Sequence, residues 1–170
     1  MNTWLKAMNP SSPITTEAEA FRAARASAIS IILGVVVGLA SLAWSFMNPQ
    51  VLNDAVAQSG GQLSEAQLAG AAQLALYTGG FFVLLQMILG AIQWKSPKKF
   101  IAILFMVLVA YGIASTLAAP VIAGMMPNVP TVPMWQVALS TVILIVQMIL
   151  HVAGLRGIKK LDAIQMEQAR

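Results

Sequence analysis

The feature that most constrains this chain is a pair of long apolar runs, residues 70–94 and 100–126, joined by Trp94-Lys95-Ser96-Pro97-Lys98-Lys99. Each run exceeds the roughly 20 residues needed to cross the hydrocarbon core of a bilayer. The joint is too short to fold on its own. With a proline and Lys95, Lys98 and Lys99 it is also too charged for a membrane interior. The pattern predicts a chain that crosses, turns on its lysine-rich side and crosses back.

Two further apolar stretches, 27–46 and 134–155, predict two more crossings. The expectation is one domain over residues 1–170: an all-α integral membrane bundle with four transmembrane helices. Residues 1–26 form an N-terminal segment and helix start, 48–69 an outer loop, 95–99 a turn, and 156–170 a C-terminal helix. Composition supports this reading. Apolar residues make up 58% of the chain and charged residues 9%, against about 25% charged in a soluble domain.

Charge placement orients the bundle. With four crossings, both termini and the 95–99 turn share one side. That side holds Lys6, Arg22, Arg25, Lys95, Lys98, Lys99, Arg156, Lys159, Lys160 and Arg170, all 10 basic residues of the chain. The other side holds Asp54 and Glu65. The positive-inside rule makes the basic side cytoplasmic, so both termini are predicted inside a bacterial inner (plasma) membrane. Trp44 and Trp135 then fall at the outer interface, and Trp4 and Trp94 at the inner one, as an aromatic belt requires. The net charge of +4 points to anionic headgroups, with Arg22, Arg25, Lys95, Lys98, Lys99, Arg156, Lys159 and Lys160 as the contacting residues. Nucleic acid is not the expected partner, because the basic residues are few and flank apolar spans.

Local signals fit the same plan. Trp4, Leu5, Lys6 and Met8 read as a short interfacial piece, followed by the breaker Asn9-Pro10-Ser11-Ser12-Pro13, which a cleavable signal peptide would not carry at that point. Thr16-Glu17-Ala18-Glu19 and Ser64-Glu65-Ala66-Gln67 are capping-box patterns, predicting one helix unbroken from residue 17 to 47 and another that starts ahead of its span. Residues 50–58 suggest a surface helix, 59–61 a break, and 127–133 a stiff proline turn. Pro120 lies inside the third span and removes a backbone bond to residue 116.

Candidate chemistry is sparse. No cysteine is present, and His151 is the chain's one histidine, which removes disulfides, thiol chemistry and a conventional metal cluster. The spans carry no Asp, Glu, Lys or Arg, whereas pumps and ion-coupled transporters place charges there. Ser30, Gly34 and Gly38, with Ala26, form a small-residue stripe on the first span, read as packing against the chain's own helices or as a homodimer or partner contact; Gly79 and Gly90, on the side of the second span that carries Gln86 and Gln93, are further helix-packing positions. Gln86, Gln93, Tyr111, Ser115, Ser140 and Gln147 form a polar seam that reads as hydrogen-bonding between helices or as the lining of a pore. His151 is the candidate ligand to a haem or pigment.

The expected function is non-catalytic, with no bound cofactor: a small accessory or scaffold subunit of a membrane complex, associating with other membrane subunits or with itself. A passive channel or carrier and a haem- or pigment-binding subunit are the alternatives. The orientation makes a direct prediction. A cysteine at Asp54 is labelled by an impermeant maleimide from outside intact cells and one at Ser96 is not; the reverse pattern overturns the topology.

Overall fold

The computed structural model describes residues 3–50, 64–125 and 133–170. Among these residues the helices are, in order, α1 (Thr3–Met8), α2 (Glu17–Ala24), α3 (Ala26–Met47), α4 (Glu65–Lys95), α5 (Lys99–Met125) and α6 (Met134–Gln168). Among the described residues there is no strand. Four helical stretches are long and apolar enough to cross a membrane: Glu17–Met47, Ala66–Lys95, Lys99–Met125 and Met134–Gln168. In hydrocarbon a helix satisfies its own backbone donors and acceptors, which is why apolar segments of this length take no other form. The remainder of the expected surface helix from residue 51 on, the break at 59–61 and the turn over 127–132 lie outside the described residues.

Both capping boxes form. The Thr16 side chain accepts from the Glu19 N–H and the Glu19 side chain reaches back; Ser64 and Gln67 repeat the arrangement. Each satisfies donors that the first helical turn leaves orphaned. Between α2 and α3 the sequence predicts no break, and Arg25 introduces a slight one. Its φ of −69° and ψ of −13° are right-handed. The hydrogen-bond ladder passes through it, from the Arg25 N–H to the Phe21 carbonyl and from the Ile29 N–H to the Arg25 carbonyl. α6 spans 35 residues without interruption. At 1.5 Å per residue this is roughly 50 Å, so the apolar segment and the basic 156–168 segment are one rod.

The helices stand in the order α4, α3, α6, α5. α6 is the hub, packed against α2, α3 and α5, while α4 lies on α3. The two arms of the lysine-joined hairpin therefore part: α4 and α5 scarcely touch each other, and each rests on a different neighbour. α1 folds back onto α2 and α6.

Packing is tightest at the lysine-rich end. Ala20, Ala24, Ala26 and Ala28 are fully buried, as is Ala102 on α5. Small clusters follow one another there: Ala24 with Ala102 and Ile158, Ala26 with Leu150 and Ala153, and Ile31 with Ile101 and Phe105. Buried positions on α3 stop at Val35 and those on α5 at Val109; beyond them Val36, Leu39, Trp44, Leu117 and Met125 are exposed. The bundle closes at one end and loosens toward the other.

Two glycines of α6 set the closed end. A side-chain carbon on Gly154 would lie 2.5 Å from Ser27 Cβ and 2.6 Å from the Ser27 nitrogen. One on Gly157 would collide with the Ala24 nitrogen and the Ala23 carbonyl carbon. Backbone does not yield as a flexible side chain does, so the α6–α2/α3 approach depends on both residues lacking a side chain. Gly154→Ala and Gly157→Ala are each expected to lower stability by about 1–3 kcal/mol, the usual range for overpacking. Gly80→Ala, whose added carbon meets nothing within 4 Å, leaves it unchanged or raised. Thermal unfolding in detergent measures all three.

Candidate functional site

The polar residues of the interior gather on α3 and α6. Ser27 Oγ and His151 Nδ1 are 2.9 Å apart, with the donor set by the imidazole tautomer. One turn on, Ser30 Oγ donates to the Gln147 carbonyl oxygen at 3.0 Å, and the Gln147 side-chain amide donates to the Ser30 carbonyl oxygen at 3.3 Å. The i, i+3 spacing on α3 and the i, i+4 spacing on α6 bring these pairs onto facing stripes. The Phe105 ring of α5 stacks on His151, at 6.0 Å between centroids and 16° between planes. Ser27 is 0% and His151 1% exposed. Ser27, its backbone and Cβ packed against Gly154, is fully buried, and its hydroxyl orients the imidazole.

Above this knot lies a cleft of about 360 Å³. Gln86 of α4 stands on one lip, and Leu108 and Val109 of α5 on the other, with Ser30, Gly34, Ser140, Gln147 and His151 also contributing to its wall. The volume lies at the low end of small-molecule sites. A carbon on Gly34 would lie 3.1 Å from Gln147 Nε2 and 3.5 Å from Gln86 Oε1. Both amide heads converge where Gly34 has no side chain.

Of the predicted polar seam, the structure brings Gln86, Ser140 and Gln147 together at this cleft. The other three lie elsewhere. Gln93 is fully buried at the lysine-rich end, where its Oε1 accepts from the Lys98 N–H at 2.8 Å and closes the α4–α5 turn. Its Nε2 is buried and has no partner among the described residues. Tyr111 is 73% exposed, and Ser115 donates to the carbonyl of Tyr111 in its own helix. The seam is therefore not one continuous row.

The predicted packing glycines serve the α3–α4 contact. A carbon on Gly38 would lie 2.8 Å from Val83 Cγ2, one on Gly79 3.0 Å from Leu42 Cδ2, and one on Gly90 3.1 Å from Ile31 Cγ2. Sequence reasoning missed Ser27, Gly154, Gly157 and the Ala20, Ala23, Ala24 stripe. The three- and four-residue spacing of small residues on both helices was the available signal.

At the lysine-rich end the basic side chains divide. Arg25 is held by protein: its guanidinium lies 4.3 Å from the Phe21 ring centre and 4.9 Å from that of Trp94, and its Nε donates to the Trp94 carbonyl at 3.1 Å. Arg156 donates to the Pro10 carbonyl oxygen. Trp4 of α1 stacks on Trp94 at 6.0 Å and 9°. Lys95, Lys98, Lys99, Lys159 and Lys160 are exposed. Lys6 pairs with Glu19 at 2.6 Å. That hydrogen bond, with further ones from Thr15, holds the Glu19 carboxyl down to about 2. A depressed carboxylate stabilises the fold above its ordinary range, and this contribution is lost as the pH falls from about 4.5 toward about 2.

Comparison with protein-family models, with curated proteins and with solved structures returned no match for this chain. Among the described residues no group of three or more His, Cys, Asp or Glu stands close enough to hold a metal.

The interhelical bonds and the local ones should behave differently on mutation. Ser27→Ala leaves the buried His151 Nδ1 without its partner and is expected to cost about 0.6–2 kcal/mol. Ser115→Ala, which removes a bond within one helix, should cost nothing measurable. Equal effects in a detergent unfolding series would show that the Ser27–His151 bond does not hold α3 to α6.

Proposed function

We propose that this protein is a non-catalytic, multi-pass subunit of a bacterial inner-membrane complex, with both termini cytoplasmic, and that it assembles with a membrane partner or a second copy along α4. The observation that carries this reading is the one-sided packing of α4. Only 11% of its most apolar stretch is buried, against 33% for the stretches in Glu17–Met47 and Met134–Gln168. Its free face is not uniformly aliphatic. Tyr77, Phe81 and Phe82 are exposed along it. Gly80 sits among them with nothing within 4 Å of where a side chain would begin. A glycine notch lets a second helix approach closely in lipid, and aromatic residues concentrate at interface centres.

The non-catalytic part of the proposal is supported by the serine–histidine pair. It has the composition of a nucleophile and base, but Ser27 is sealed from any substrate. Gln86, Ser140 and Gln147 at the cleft favour a carrier as the second reading. Its support is limited to that cleft, since Gln93, Tyr111 and Ser115 lie away from it. The haem or pigment reading keeps only His151, whose Nδ1 is occupied by Ser27 and whose ring also lines the cleft.

Purification of the tagged full chain in a mild detergent, followed by mass spectrometry and mass photometry, tests the assembly. The expected result is a stoichiometric companion or a second copy, lost in Gly80→Ile while the chain's own melting temperature is retained. A sample that is monomeric and free of companions overturns the proposal.

A further inference from the structure

The cleft between α4 and α5 raises a question separate from what docks on the outer face of α4. Two primary amides converge beside Gly34 inside a segment built to lie in hydrocarbon, and each keeps hydrogen-bonding capacity unused. Among the described residues, Gln86 has no hydrogen-bond partner, and Gln147 uses one N–H, toward the Ser30 carbonyl, while its own side-chain oxygen accepts nothing. A polar group left unpaired in an apolar medium costs free energy, and native structures satisfy such groups with protein, water or ligand. Ser140 adds a hydroxyl to the same wall.

Three properties define what would fit. First, the cleft is lined by no Asp, Glu, Lys or Arg, so a charged head would enter without a counter-charge and pay its desolvation in full. Second, an amide offers both a donor and an acceptor, so the complementary head carries carbonyl or hydroxyl oxygens. Third, the rest of the wall is apolar, with Phe105, Leu108 and Leu144 prominent. Because α4 and α5 scarcely touch, the gap between the lips lets an apolar chain remain in the surrounding bilayer while its head lies inside.

We infer that the α4–α5 cleft is a binding site for a neutral, lipid-soluble amphiphile whose head carries carbonyl or hydroxyl oxygens. Gln86 and Gln147 hydrogen-bond that head, and Gly34 provides the room in which they reach it. A glyceride and a quinone share this chemistry.

Photolabelling of the full chain in lipid nanodiscs with a diazirine-bearing monoacylglycerol tests the site. Label is expected at Phe105, Leu108 and Leu144, displaced by unlabelled monoolein or by decylubiquinone. The better competitor of the two identifies the source. Oleate, ionised and otherwise similar, should not compete. Gln86→Leu removes one to two neutral hydrogen bonds and should weaken labelling about tenfold, without unfolding a chain in which Gln86 has no bond to lose. Ser140→Ala on the opposite wall provides the same reading if Gln86→Leu proves unstable. Label spread evenly over lipid-facing positions such as Val107 and Ile145, oleate competing as well as monoolein, or folded Gln86→Leu and Ser140→Ala both retaining full affinity would each refute the assignment.

Discussion

The approach of α6 to the α2–α3 rod at Gly154 and Gly157 is the contact on which the rest depends. Lipid tails are as apolar as leucine side chains, so helices in a bilayer gain little from hiding apolar surface and associate through close packing and hydrogen bonds. Here the two go together. With no side chain at Gly154, the backbones come near enough for Ser27 to reach His151 and for Ser30 and Gln147 to exchange bonds in both directions. A larger residue at either glycine would separate the helices and break a polar knot that contains no charge.

The same closeness explains why the opposite half is loose. α3 is drawn to α6 at the lysine-rich end and supports α4 on its other flank, while α5 is held by α6. Nothing comparable to the glycine contact draws α4 to α5, and only their connecting turn is fastened, by Gln93 accepting from the Lys98 N–H. The cleft follows from this arrangement. It is the space left when the two arms of one hairpin are pinned at the bend and lean on different neighbours.

Much of the architecture was legible in the residues. Apolar runs of 20 residues or more gave four helices, and both capping boxes marked helix starts correctly, because each signal acts locally or through the solvent. Which helices neighbour one another was not legible. That the arms of the 70–126 hairpin part and rest on different neighbours depends on pairings between segments distant in sequence, such as Ser30 with Gln147. The seam fared similarly. Gln86, Ser140 and Gln147 line one cleft, whereas Gln93 shares the face of Gln86 but lies two turns on, at the Lys98 turn, and Tyr111 and Ser115 stand away from the cleft on α5, since spacing along a helix gives the face and not what it meets. The small-residue pattern at Ala20, Ala23, Ala24, Ser27, Gly154 and Gly157 was visible. Its weight became evident only when the backbones were seen together.

The long sequence separations also impose an order of assembly. The Lys6–Glu19 pair and the Thr16 capping box join residues close in the chain and can form as soon as the first segment leaves the ribosome. α3 and α4 can pair next. Trp4 must wait for Trp94, and Ser27 and Ser30 must wait for residues 147–151, which belong to the last span. Until that span inserts, Ser27 and Ser30 lack the α6 partners they have in the complete bundle. The nascent three-span protein is thus incomplete in a chemically specific way, and insertion of α6 is the step that turns a loose set of helices into one object. A chain stopped short of Gln147 and His151 would leave Ser27 and Ser30 of α3 facing an apolar surrounding without these partners.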